Sequence, residues 1–148
     1  HNWGVWRSVT WDWGAARGGR YNLLYGAVYA PSDTIAATSS GAPKLLVALV
    51  DSLGVRQILR AQAVRYAGRH PDGARNGVAA PAAFDFVAVR DADTVRIRAT
   101  IIDFQATAGV GDKENHFLQM RGRFELRGRV GGAEVSDSGT GFFETYVR

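Results

Sequence analysis

The sequence predicts an all-β fold, with one eight-stranded antiparallel barrel spanning residues 1–148. Helical periodicity is poor along the whole chain, whereas polar residues alternate with β-branched or aromatic residues between turn signals. Eight such segments follow one another, and most are joined by short turns of the kind that link antiparallel strands. Closing eight strands into a barrel removes exposed sheet edges and leaves an interior just wide enough for one small ligand. A β-sandwich is the main alternative, and it would need long crossovers between its sheets.

The first two predicted strands carry all four tryptophans and three of the five tyrosines. The first strand covers residues 3–13, the second covers residues 20–30, and a turn over Gly14–Gly19 joins them. Alternation predicts that the odd-numbered residues of the first strand form its apolar face. In the second strand the odd-numbered residues form an aromatic stripe that includes Tyr25 and Tyr29.

Six further strands are predicted around two longer loops at residues 31–43 and 68–81. Their ranges are 45–51, 55–66, 83–90, 94–106, 115–130 and 133–147. The segment 55–66 also has some helical spacing, but the tight turn at Gly54 favours a hairpin. Between the last two strands, Gly131-Gly132 suits the positive φ angles of a two-residue hairpin turn.

Composition limits the chain to one globular domain and excludes several classes of function. Of its residues, 46% are hydrophobic and 22% charged, and no apolar run approaches the roughly 20 residues of a membrane-spanning helix. The net charge is +4, but Lys and Arg are spread over the chain, so no nucleic-acid partner is predicted. The absence of cysteine excludes disulfides and thiolate metal sites. The compartment stays open, with export and peripheral membrane association among the alternatives for a soluble, bacterial-type sequence.

The opening His1-Asn2-Trp3-Gly4 and its Trp-rich strand resemble the DHNWG signature of the AttH-like, lipocalin-like superfamily. That superfamily includes carotenoid hydratases (hydroxyneurosporene synthase), tocopherol cyclases and fungal cyclases of the Diels-Alder type. The closing Gly139-Thr140-Gly141-Phe142-Phe143-Glu144 is similar to its GxGFxE strand. Two lipocalin-like barrels lie in tandem in that family, and the signature opens the second. The resemblance therefore implies an eight-stranded antiparallel lipocalin-like barrel that is the C-terminal half of a longer protein.

The resemblance also implies catalytic residues. Carotenoid hydratases of this kind use the signature His and Trp, a Tyr on the next strand, and an Asp two residues after that Tyr. His1 and Tyr29 match two of these positions, but Pro31 stands where the carboxylate is expected. Adding water across an alkene needs a proton donor, for which a carboxylic acid of raised pKa is the natural source. This departure weakens a hydratase assignment.

Asp103 is a second candidate acid, suggested by strand alternation. It follows Ile97, Ala99 and Ile101 on one strand face, which would place a carboxylate on the apolar side of the sheet. An inward carboxylate is costly unless it is paired or protonated. The alternative is a bulge or strand end that carries Asp103 into solvent.

Four residues are candidate ligand contacts. The rings of Trp3, Trp6 and Tyr25 could line a cavity, because aromatic faces also stabilise a developing cation. His116 alternates with Leu118 and therefore faces the apolar side near the barrel rim. The competing interpretations are ordinary barrel packing for the rings and a hydrogen-bonded core histidine for His116.

A further prediction concerns how the first two strands pair. If the turn is centred near Arg17, Trp3 and Tyr29 lie side by side in an antiparallel pair, and His1 continues the same face. The three residues would then converge on one cavity.

Two hypotheses about function follow. In the first, the barrel binds an isoprenoid, carotenoid or polyketide-like apolar molecule and hydrates, isomerises or cyclises it without a metal or other cofactor. In the second, it is a non-catalytic structural half-barrel that supports a preceding N-terminal barrel. A homodimer partner is the alternative to that preceding barrel. A filled interior favours the structural hypothesis, and an open pocket reaching His1 favours the binding hypothesis.

Overall fold

The computed structural model describes residues 10–29, 45–108 and 116–147, and within these ranges it contains strands and no helix. The strands are β1 (Thr10–Gly18), β2 (Asn22–Tyr29), β3 (Leu45–Asp51), β4 (Gly54–Ala61), β5 (Arg65–Ala67), β6 (Ala74–Arg75), β7 (Val78–Ala79), β8 (Ala83–Arg90), β9 (Asp93–Ala108), β10 (His116–Val130) and β11 (Ala133–Val147). The longest, β9 to β11, coincide closely with the predicted segments 94–106, 115–130 and 133–147.

The main sheet closes on itself as an antiparallel barrel, which confirms the predicted fold class. Its order is β4-β3-β2-β1-β11-β10-β9-β8-β5, and β4 also pairs with β8, at Arg60 and Val89. The predicted strand 55–66 is divided into β4 and β5, and both pieces lie against β8. Together they form the eighth side of the barrel, because β5 continues the contact with β8 where β4 ends.

The two ends of the barrel differ in how the strands are connected. At one end, here called the turn end, four short turns join β1 to β2, β3 to β4, β8 to β9 and β10 to β11. The last of these uses Gly131 and Gly132 at φ 58° and 79°, as predicted for a two-residue hairpin turn. At the opposite end, here called the loop end, β2, β4, β9 and β11 end and β1, β3, β8 and β10 begin. Ligand sites of small barrels lie at such mouths.

The first hairpin turns later than the sequence predicts. Strand β1 continues through Gly14 to Gly18, so the predicted turn over Gly14–Gly19 is wrong. The actual turn is fixed by Asp137 on β11, whose carboxylate accepts hydrogen bonds from the backbone N–H groups of Gly19, Arg20 and Tyr21 at 3.1, 2.8 and 2.7 Å. A contact between residues so far apart in sequence gives no local signal.

The inward faces of β1 and β2 are opposite in parity. On and just before β2 the predicted stripe is confirmed for Tyr21, Leu23 and Tyr25, which are buried. On β1, however, Asp12, Gly14 and Ala16 are buried, whereas Trp13 is exposed. The prediction that the odd-numbered residues of the first strand form its inner face is therefore wrong for the described part of β1.

Aromatic rings form a packed layer inside the barrel at about the level of Gly14, and aliphatic side chains fill the interior from there toward the turn end. The ring of Tyr25 stacks on Phe143 and meets Phe84 and Phe86 edge-on, with centroid distances of 5.0 to 6.3 Å. Gly14 makes room for this arrangement, because a Cβ there would lie 2.4 Å from the Tyr25 ring and 2.7 Å from the Phe143 ring. These rings, here called the aromatic floor, separate the loop end of the interior from the turn end.

The segment 68–81 covers an otherwise unpaired edge of the barrel. Strand β8 pairs with β9 only as far as Thr100, and beyond that residue the edge of β9 faces this segment. Arg75 and Asn76 donate side-chain hydrogen bonds to the backbone carbonyls of Phe104 and Ala106. An edge strand is thereby protected by side chains rather than by another strand.

Candidate functional site

A buried carboxylate and a phenol lie together inside the loop end. Asp12 on β1 is buried, and its Oδ1 accepts a hydrogen bond of 2.6 Å from the hydroxyl of Tyr66 on β5. Thr145 on β11 is also buried and lies directly opposite Asp12 in the β1–β11 ladder. Three sequence-distant strands thus contribute polar side chains to one place on the inner wall, here called the Asp12 cluster.

The Asp12 cluster keeps Tyr66 protonated. Loss of solvation raises the pKa of Tyr66 well above its ordinary value, and the nearby charge of Asp12 and the proximity of Tyr25 raise it further. A hydrogen bond with Thr145 acts in the opposite direction but is outweighed. Although 37% of Tyr66 as a whole is exposed, its hydroxyl end lies inside the cluster. At neutral pH Tyr66 is therefore a hydrogen-bond donor that orients the carboxyl group of Asp12.

The position of Tyr66 depends on the core. It pairs with Phe84 across β5 and β8, and its ring meets the Phe84 ring edge-on at 5.8 Å. Because Phe84 is buried in the aromatic floor, the phenol of Tyr66 is held across the loop end of the barrel. The cluster is thus seated on packed rings on the loop-end side of the aromatic layer.

His116 lies on the inner side of β10 at the loop end, where alternation with Leu118 predicts it. Leu118 and Met120, the next inward residues, are completely buried, and His116 itself is half-buried. Its Nδ1 is enclosed and has no hydrogen-bond partner among the residues the structure describes. A buried ring nitrogen of this kind can accept or donate one hydrogen bond to a ligand.

The inward orientation predicted for Asp103 is wrong, and the alternative, a bulge that carries it toward solvent, is confirmed. A β-bulge between β9 and β10 inserts Ile102, so that Asp103 pairs with Arg121 while Ile101 pairs with Gly122. The side chain of Asp103 is half-exposed and forms an ion pair of 2.8 Å with Arg75. The hydrogen bond from Arg75 lowers the pKa of Asp103, and the backbone N–H of Phe104 lowers it further. A proton donor needs the opposite shift.

The remaining predicted site residues are placed as follows. Tyr25 packs in the aromatic floor, next to Tyr66, rather than at the mouth. Tyr29 ends β2 at the loop end, and its ladder partner is Thr10 rather than Trp3, because the turn lies later than assumed. His1, Trp3 and Trp6 lie outside the described residues.

Asp12 is the candidate site residue that the alternation of the first strand places on the wrong face. The pattern Trp11-Asp12-Trp13 made the tryptophans the apparent core side, although Trp13 is exposed and Asp12 buried. The overlooked signal is the small residues that follow. Gly14 and Ala16 share the parity of Asp12, and small side chains on one face leave room for large rings from the opposite wall.

Within residues 10–29, 45–108 and 116–147, no group of three or more His, Cys, Asp and Glu side chains is arranged to hold a metal ion. In the same ranges no helix is long and apolar enough to cross a membrane.

Comparisons with known proteins agree with the fold. No family model and no curated protein matches the sequence. Among solved structures, the chain is similar to kievitone hydratase from Nectria haematococca, at 11% identity and a TM-score of 0.54 over 92% of this chain and 39% of that one. It is also similar to CghA with Sch210972, at 11% identity and a TM-score of 0.55 over 95% of this chain and 41% of that one. The chain thus spans about two fifths of the length of each, and the likeness shows that it has their lipocalin-like barrel fold.

Proposed function

We propose that this barrel binds an apolar small molecule at its loop end and catalyses hydratase-type addition or removal of water there without a cofactor. The observation that carries the proposal is the Asp12–Tyr66 hydrogen bond of 2.6 Å inside the loop end, above the aromatic floor. A carboxyl group that is buried and oriented inside the barrel is the group that such chemistry requires. One of the similar structures is a hydratase by name, and that likeness in fold is consistent with the proposal.

The proposed reaction needs only the chain's own groups and water. The hydration starts from the protonated form of Asp12, which gives its proton to one alkene carbon, and the oxygen of a water molecule bonds to the other. The water then returns its surplus proton to the carboxylate, so the acid is regenerated and the substrate gains one H₂O. Tyr66 stays protonated throughout and orients the carboxyl group, and the neighbouring rings favour transient positive charge on the substrate.

Asp12 supplies what the sequence lacks at position 31. The resemblance noted above implies a Tyr followed two residues later by an Asp, and Pro31 occupies the second position. Asp12 lies on the neighbouring strand, opposite Ala27, and therefore faces the same interior from β1 instead. Under this proposal the acid lies on β1, one strand away from the position that the resemblance implies, and at the same end of the barrel.

Native mass spectrometry of the protein purified from its own cells tests ligand binding. We expect a co-purifying apolar molecule, and incubation of that molecule with the enzyme in ¹⁸O-labelled water should add one labelled water to it. Asp12→Asn should abolish labelling while the β-type circular dichroism spectrum persists. Asp91→Asn, an exposed carboxylate at the turn end, is the matched control and should label normally. Equal labelling by Asp12→Asn and wild type would refute the catalytic role.

A second candidate function is a purely structural barrel. The observation that favours it is the filled interior: Phe84, Phe86, Phe124 and Phe143 are almost completely buried, and so are aliphatic residues nearer the turn end, such as Leu126. A protein that carries no small molecule after purification, and that binds none from an extract of its own cells, would support this alternative.

A further inference from the structure

The outer wall of the barrel carries a contiguous apolar surface on β1, β2, β3, β9 and β11. Its members are large hydrophobic side chains that are 40 to 67% exposed: Trp13, Leu24, Val28, Leu46, Ile102 and Phe142. A groove of about 660 Å³ runs through it, with Ala15 and Phe142 among its lining residues. Extended exposed apolar patches mark surfaces that meet a membrane or a protein. This set of residues is called the apolar wall below.

The strand register arranges the apolar wall in rows, each made of residues that are ladder partners on neighbouring strands, and successive rows approach the loop end. Leu24, Ala15 and Phe142 are neighbours across three strands, and Trp13 lies two residues nearer the loop end on β1. Val28, beside Trp11, lies nearer still. The apolar rows therefore approach the same end of the barrel as the Asp12 cluster.

Cations border the apolar wall on the side of the turn end. Arg123, Thr140 and Arg17 form the row next to Phe142 and Ala15, and Arg121 lies directly beside Phe142. Among the described residues, no ion pair neutralises these arginines at bonding distance, although Asp103 lies near Arg121. In the part of the chain that the structure describes, the rows contain two carboxylates: Glu144, which accepts a hydrogen bond from Gln119, and Asp103, which is paired with Arg75. The border is therefore cationic and the wall apolar.

We propose that the apolar wall and its arginine border dock this protein onto the surface of an anionic lipid bilayer. Arg17 and Val28 differ by six ladder steps, which at roughly 3.3 Å per residue separates the cations from the outermost apolar row by about 20 Å along the strands. Arginines at headgroup level and apolar and Trp side chains below it match the layering of a membrane interface. Such docking brings the loop end toward the phase in which apolar molecules dissolve.

Charge decides between a bilayer and a second copy of the chain. In a two-fold symmetric dimer formed through this wall, the arginine border would meet either the same border or the outermost apolar row of the other copy, depending on the direction of the axis, and neither would neutralise its charge. Anionic headgroups instead neutralise the three arginines, and attraction of this kind amounts to about a fivefold gain in binding for each cation at the surface. The inference concerns surface contact alone and does not depend on the proposed catalytic reaction.

Vesicle co-sedimentation tests the proposal with the 148-residue chain. We expect binding to phosphatidylcholine vesicles that contain phosphatidylglycerol, weaker binding at high salt, and little binding to phosphatidylcholine alone. Val28→Gln should weaken binding roughly fivefold, because a largely exposed Val would be buried in the bilayer. Val55→Gln, at 62% exposure on β4, is the matched control and should bind like the wild type.

A second pair of variants tests the cations. Arg17→Gln combined with Arg123→Gln should weaken binding about 25-fold, whereas Arg127→Gln combined with Arg129→Gln removes the same charge elsewhere and should have a small effect. Equal losses in the two double variants would mean non-specific attraction to net charge and would overturn the proposal. So would a wild-type protein that binds neither vesicle. A concentration-dependent dimer that Val28→Gln dissociates, with vesicle binding unchanged, would assign the wall to self-association instead.

Discussion

Gly14→Ala tests whether the aromatic floor beneath the Asp12 cluster is as tightly packed as the geometry indicates. The added methyl group would lie 2.4 and 2.6 Å from two atoms of the Tyr25 ring and 2.7 Å from Phe143. Neither ring can move freely, because Tyr25 also contacts Phe84 and Phe86, and Phe143 also contacts Phe84. Overpacking of a well-filled core costs about 1–3 kcal/mol, and contact with two rings places this variant near 3 kcal/mol.

A matched glycine separates the clash from the general effect of replacing Gly by Ala. At Gly26, on the paired strand, a new Cβ would have its nearest neighbour at 3.5 Å, which is ordinary van der Waals contact. Gly26→Ala should therefore be neutral or stabilise by up to about 1 kcal/mol, because alanine restricts the unfolded chain. That gain is common to both variants, so their difference of about 3 kcal/mol reports the clash.

Thermal unfolding followed by near-ultraviolet circular dichroism measures the difference. For a domain of this size each kcal/mol shifts Tm by roughly 2–4 °C, so Gly14→Ala should melt about 6–12 °C below Gly26→Ala. The near-ultraviolet signal of Gly14→Ala should also change, because the Tyr25 ring must move. If the two variants melt within about 2 °C of each other, the interior at this level is not filled, and the description of the floor is wrong.

Three further predictions concern ionisable groups. Asp137→Asn should lower the free energy of unfolding by about 2 kcal/mol, because the carboxylate of Asp137 accepts several backbone N–H hydrogen bonds. These bonds outweigh the effect of burial and lower the pKa of Asp137, so the loss should be complete above about pH 4 and become smaller as the pH falls. Urea unfolding at several pH values measures it. Because the pKa of Tyr66 is raised in the folded state, wild type should lose stability as pH rises above about 10, and Tyr66→Phe should lack that decline in an alkaline melting series. Arg75→Gln should raise the pKa of Asp103 toward its ordinary value in an NMR titration, since the hydrogen bond from Arg75 is the main cause of its lowering; an unchanged pKa would contradict the ion pair.

The sequence by itself determines the fold class and most strand positions. Period-two alternation is a local property, so β8 occupies exactly the predicted residues 83–90, and β10 and β11 differ by no more than one residue. The inward position of His116 follows from the same local rule, because β10 has no bulge between His116 and Met120. Gly131-Gly132 likewise shows its turn directly, since positive φ is a property of single residues.

The tertiary structure alone decides which polar groups share the interior. Alternation gives two faces for each strand but does not say which face is inside the barrel. On β1 the inner face is the one with Gly14, because the rings of Tyr25 and Phe143 leave no room for a side chain at that position. One inserted residue at Ile102 turns Asp103 outward, and the alternation of its neighbours gives no warning of it. Asp12 and Tyr66 are 54 residues apart in sequence, and barrel closure through β8 brings them to 2.6 Å. The candidate acid therefore comes from long-range packing, which local sequence patterns do not record.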